Sequence, residues 1–151
     1  MTAALGFGMA APAAAQNVNA APAYGSVNLV SGFQPDPYLV NINAGGSISA
    51  GQAISGCAGF IANAPDFRLN FTAGQRGLPL ILSVAANADT TLVVNLPNGQ
   101  WICDDDGGNI GMNPSIVLSA PMGGQYDIWV GTYAAGAMQP STLHISEVSS
   151  Q

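Results

Sequence analysis

Past residue 25 the chain runs in short stretches of alternating apolar and polar residues, separated by glycine, proline and asparagine. A period of two puts successive side chains on opposite faces of an extended strand. This pattern predicts strands at Ser26–Val30, Tyr38–Asn43, Ser47–Ser49, Phe60–Ala62, Phe67–Thr72 and Leu80–Ala85. It predicts more at Thr91–Asn95, Gln100–Cys103, Ser115–Leu118, Gln125–Tyr133 and Ser141–Val148. Breakers fall between them, at Gln34 to Pro37, Ala44 to Gly46, Leu96 to Gly99, Asp106 to Gly108 and Met122 to Gly124. No stretch after residue 16 carries a helical period. Short strands at regular spacing predict an all-β fold, an antiparallel β-sandwich occupying residues 26–148 as one domain.

The faces can be read from the same alternation. Leu80, Leu82 and Val84 share one side, as do Tyr126, Ile128 and Val130, and Leu143 and Ile145. The other sides carry Asp127, Trp129 and His144. This predicts sheets with one apolar and one solvated face. Asn98-Gly99 predicts a tight hairpin, because both residues tolerate positive φ. The stretch Tyr38 to Gly45 echoes Phe67 to Gly74, each following Pro-Asp, and predicts one edge strand plus exit turn used twice.

Composition narrows the function classes. Charged residues make up 7% of the 151, against roughly 25% in an ordinary domain. Two arginines, no lysine and a net charge of −6 leave no basic patch. Nucleic-acid binding needs clustered cations and is excluded as an expectation. No segment reaches the ~20 apolar residues of a membrane span, so no membrane insertion is expected.

Met1–Ala15 is an alanine-rich apolar run ending in an A-x-A pattern, and reads as a secretory signal peptide without its basic n-region. Gln16 to Gly25 lacks periodicity and reads as a flexible leader. Cys57 and Cys103 are the only cysteines, and neither sits at metal-ligand spacing. In an oxidising compartment such a pair bridges, so a disulfide and a secreted location, extracellular or periplasmic, are expected.

From Asp89 to Tyr133 the chain takes on a recognisable look. A strand at Asp89 to Val94 leads to Pro97-Asn98-Gly99 and an acidic strand end at Trp101 to Asp106. Gly124-Gln125-Tyr126-Asp127-Ile128-Trp129-Val130-Gly131 follows. This resembles the bacterial pre-peptidase C-terminal domain, a relative of collagenase-type collagen-binding domains, over roughly Leu80 to Glu147. The resemblance implies a jelly-roll-like β-sandwich of secreted bacterial proteins, usually appended to a peptidase. Calcium-binding members of that family hold the ion through an N-terminal linker. No segment here matches it, so the resemblance carries over no ligand.

No catalytic constellation stands out. His144 is the only histidine, lies mid-strand, and has no G-x-S-x-G elbow to serve. No phosphate-binding or dinucleotide loop occurs. The sharpest local feature is Asp104-Asp105-Asp106-Gly107-Gly108. Adjacent carboxylates repel unless solvated or neutralised, and calcium takes six to eight oxygens from such loops. A calcium site is therefore expected on Asp104 and Asp106, with Asp89 and Asp127 adding ligands from neighbouring strands. The alternative is a solvated acidic turn that discourages edge pairing. Trp129 and Trp101 are candidate binding aromatics, Trp129 on the face shared with Asp127; the alternative is that Trp129 packs under a loop or in a second sheet.

These readings converge on a non-catalytic secreted binding or structural module. Its partner is expected to be a protein or polysaccharide surface, or another copy of itself. One alternative is a self-assembling fibre or surface-layer subunit, with the leader added as a strand to a neighbour. The other is a small secreted hydrolase.

Overall fold

A computed structural model describes residues 16–151; the predicted signal segment lies outside them. Eleven strands form two facing sheets. They are β1 (Ser26–Val30), β2 (Tyr38–Ala44), β3 (Ile48–Ser49), β4 (Phe60–Ile61), β5 (Phe67–Thr72), β6 (Leu80–Ala86), β7 (Thr90–Asn95), β8 (Trp101–Asp104), β9 (Ser115–Leu118), β10 (Gly124–Thr132) and β11 (Gln139–Ser146). One turn of helix, α1 (Ala50–Ala53), follows β3. The strand predictions hold to within a residue or two, because side-chain alternation survives wherever one face meets a core.

The smaller sheet has the order β2-β11-β6-β9 and is antiparallel throughout. The larger runs β1-β5-β10-β7-β8, with β4 and β3 continuing beside β10 beyond β5. Its one parallel pair is β1 with β5. Between the sheets lies the main core. Phe67, Leu69, Leu92, Tyr126, Ile128 and Val130 of the large sheet meet Ile42, Leu80, Leu82, Val84, Leu143 and Ile145 of the small one. The two aromatics that open the echoed segments, Tyr38 and Phe67, sit 6.4 Å apart between ring centroids across this core. The echo is not two equivalent edges: β2 ends its sheet, whereas β5 lies between β1 and β10.

The expectation of one solvated face holds in part for the small sheet, where Leu39, Asn41 and Val117 are exposed but Ile81 and Ser83 are covered, and fails for the large one. Asp127 and Trp129 point away from the main core, yet they are 2% and 0% exposed. A second apolar cluster covers them: Ala50, Ile54, Ile61, Val93 and Trp129, flanked by Val18, Cys57, Trp101 and Cys103. The leader also contributes. Arg68 Nη2 donates to the carbonyls of Val18 and Ala20, and Asn17 N donates to Asn63 O. Gln16, expected in a flexible stretch, is 4% exposed. The large sheet therefore carries a third layer built from residues 16–24 and 50–57.

Two local devices make this possible. Gly46 packs so tightly on the backbone of Ile61 and Ala62 that a Cβ there would lie 2.0 Å from Ile61 C. Cys57 and Cys103 form a disulfide that ties the covering segment to β8. The β7–β8 hairpin is tight as predicted but turns one residue early. Gly99 N donates to Leu96 O, and Leu96 N to Gln100 O, with Gly99 at φ +85 and Asn98 at negative φ. Proline presets φ for the first central position of a type I turn, so Pro97 and Asn98 occupy the turn and Gly99 forms the bulge behind it.

Candidate functional site

The acidic residues sort by what they bond. Asp104 Oδ2 accepts from Gly107 N at 2.7 Å and Ser115 N at 2.9 Å. It holds the turn that follows β8. Asp127 accepts from Arg68 Nε at 2.7 Å and from Gln125 Nε2 at 2.8 Å. Strand register puts Asp104 opposite Leu92 on the core side, while Asp127 shares the far side with Trp129 and Val93. The expected four-carboxylate calcium site is therefore not assembled. Two of its members engage backbone or arginine donors, on opposite faces of one sheet. No group of three His, Cys, Asp or Glu side chains suited to a metal occurs among the described residues. Asp106 is exposed at the turn. Asp89 lies close enough that burial, then Asp106 and Asp105, raise its pKa, and its Oδ1 is buried without a hydrogen-bond partner.

Of the two readings of the aromatics, the burial of Trp129 fits the alternative. Trp129 is fully buried, and the half-buried Trp101 lies against it at 5.2 Å between ring centroids. Trp129 has no surface to offer a ligand. Period-two alternation shows which residues share a face but not what later covers that face.

What remains open is part of the outer face of the small sheet; Gln151 N donates to Ser83 Oγ and covers the middle of it, where Ser83 is fully buried. Leu39 and Val117 stand 55% and 58% exposed there. The largest cleft described, about 500 Å³, lies at one end of it. Its floor follows cross-strand rows: Asn41 beside Thr142 beside Ala85, and Asn43 beside Pro140. Thr142 Oγ1 and Asn41 Oδ1 share a hydrogen bond at 3.2 Å. Tyr24 forms one wall and Ile110 the other. Tyr24 OH accepts from Asn43 N at 3.1 Å, a donor on the open edge of β2, so the phenol is held at the lip of the cleft. None of its lining residues is an acid, a base or a cysteine.

His144 lies further along the same face, between Leu39 and Ser83. Burial lowers its pKa. Among the described residues it makes no hydrogen bond to a carboxylate. The cleft residues escaped the sequence reading because β2, β6 and β11 are distant in sequence. The one visible signal, Asn41 and Asn43 alternating with Val40 and Ile42, also fits an ordinary solvated strand.

Comparison with protein-family models gives no match, and comparison with curated protein sequences gives none either.

Proposed function

We propose that this chain is a non-catalytic, secreted binding module whose partner sits on the open face of the β2-β11-β6-β9 sheet. One observation carries the reading: the largest cleft described among residues 16–151 lies on that face, and no Asp, Glu, His, Lys or Cys lines it. A hydrolase needs a nucleophile or activated water with a base in hydrogen-bond reach and a group to stabilise charge. Among the described residues His144 has neither a carboxylate partner nor a hydrogen-bonded nucleophile, and it does not line the cleft. Ligand sites, by contrast, combine concave apolar surface with a few placed polar groups.

Export is part of the proposal. The Cys57–Cys103 bridge and the A-x-A run at Met1–Ala15 both support it. No helix among the described residues is long and apolar enough to cross a membrane. The likeness of Gly124 to Gly131 to the pre-peptidase C-terminal domain, itself an accessory domain of secreted proteins, supports a binding role too. The fibre reading would need Gln16 to Ala23 free to leave. Arg68 opposes that by holding Val18 and Ala20.

The test is retention without turnover. The purified chain is mixed with insoluble cell-surface polymers, and bound protein and released product are both followed. Saturable retention with no product is expected. Time-dependent release of reducing ends or amino groups, abolished in His144→Ala, would contradict the proposal.

A further inference from the structure

We infer that the cleft over β2, β11 and β6 is a site for a neutral oligosaccharide. This rests on the binding-module reading and names its ligand class.

The argument begins with charge. A charged ligand buried against a surface without a counter-charge loses hydration that nothing replaces. The cleft offers no cation to an anionic glycan or peptide carboxylate, and no carboxylate to a basic peptide. The two arginines stand elsewhere in sequence and are absent from its lining. Its ligand is therefore uncharged.

The surface chemistry then selects among uncharged ligands. The floor alternates small apolar patches, Pro140 and Ala85, with hydroxyl and amide groups on Thr142, Asn41 and Asn43. A side-chain amide both donates and accepts, as does a hydroxyl. A sugar ring matches this pairing: its hydroxyls exchange hydrogen bonds around the rim, and its C–H faces lie on apolar or aromatic surface. A purely apolar ligand would leave these amides unpaired, at a cost.

The wall supplies the aromatic face. Tyr24 is 36% exposed although its hydroxyl is anchored on Asn43 N. Fixing the hydroxyl limits ring rotation, so little conformational freedom remains to be lost on binding. Size agrees as well. Three strands span about 10 Å at the usual spacing, about the length of two pyranose rings.

The test uses the full chain and titration calorimetry. Cellohexaose, xylohexaose and mannohexaose are the neutral probes, and a galacturonate hexamer is the anionic one. Saturable binding to at least one neutral probe is expected, with little dependence on salt, because no ion pair contributes. Tyr24→Ala and Asn41→Ala should each weaken it by about tenfold or more. Tyr24→Phe, which keeps the ring, should weaken it less. Val117→Ser, on the same sheet beyond the cleft, should leave it unchanged. Thermal melting confirms that each variant is folded, and Asn41→Ala at an exposed position tests the site even if Tyr24→Ala does not fold. Neutral binding that survives both Tyr24→Ala and Asn41→Ala overturns the site. Preference for the galacturonate hexamer, or no binding to any neutral probe, overturns the ligand class. Retention on protein or other surface polymers would then leave the binding-module reading standing.

Discussion

Arg68 Nε donates to Asp127 Oδ1 at 2.7 Å on the covered face of the large sheet, directly across from it in the β5–β10 ladder. The same guanidinium reaches out of the sheet to Val18 O and Ala20 O at 2.8 and 3.1 Å. One arginine therefore neutralises a carboxylate that is 2% exposed and fastens the leader above it.

Removing that arginine leaves a buried charge unpaired, which typically costs about 3–5 kcal/mol. Arg68→Ala should lower stability by that order in urea unfolding, and protease should cut first within residues 16–24. Arg68→Lys should recover only part of the loss, since a single ammonium does not reproduce the planar fork of donors. Unchanged stability in Arg68→Ala would show that the ion pair does not hold the third layer.

Asp66 should govern part of the pH dependence of stability. Its Oδ2 accepts from Val130 N at 2.7 Å, at the gap where β10 passes from β5 to β4. Burial pushes its pKa up to about 7 against the lowering effect of that N–H. The folded state therefore holds the proton more tightly than the unfolded chain, whose carboxyl titrates near 4. The stabilisation is complete below pH 4, falls as pH rises towards about 7, and stays lost above it. His144 acts oppositely: its lowered pKa adds stability that is lost as pH falls. Comparing wild type with Asp66→Asn isolates the first effect. The variant should show a flatter profile between pH 4 and 7 and greater relative stability above 7. Parallel profiles would contradict this.

The disulfide and Trp129 form one unit. A loop separated by 46 residues, when closed, gains about 4 kcal/mol in the chain-entropy account. Reduction should lower the melting temperature by several degrees and make Trp129 accessible to quenchers. Trp129→Ala should cost about 3–5 kcal/mol. It should leave ligand retention intact, because Trp129 lies on the far sheet. A quencher that reaches Trp129 equally before and after reduction would contradict the covering role.

The acidic turn gives a sharp contrast. Asp104 accepts two backbone N–H groups, and hydrogen bonds to charged groups contribute about 1.5–3 kcal/mol. Asp104→Asn keeps one acceptor oxygen and should be destabilised in chelator and in calcium alike. If Asp104 also binds calcium, the loss should be larger with the metal present than in chelator. Melting curves of wild type and variant in both conditions distinguish the two.

Most strand positions were legible because nearly every strand has one face in the main core. Leu80, Leu82 and Val84 repeat with a period of two and all end fully buried. The third layer was not legible. Ala50 to Cys57 and Gln16 to Tyr24 hold no periodic pattern, so nothing marked them as the cover over Trp129. In the acidic turn, sequence shows the carboxylates but not the backbone donors at Gly107 and Ser115 that engage Asp104. The cleft was hidden for a related reason: Asn41 and Thr142 meet only through the β2–β11 register, 101 residues apart in the chain.

The most direct test of the account is to fill the open face. Asn41 is exposed on an edge strand, so Asn41→Arg adds bulk and charge to the cleft at little cost to the fold. Retention of this variant on the surface polymers that hold the wild-type chain is the quantity to measure, with melting temperature as the control. The account predicts that retention is lost while melting is nearly unchanged. Full retention by a folded Asn41→Arg would place the binding surface elsewhere on the molecule.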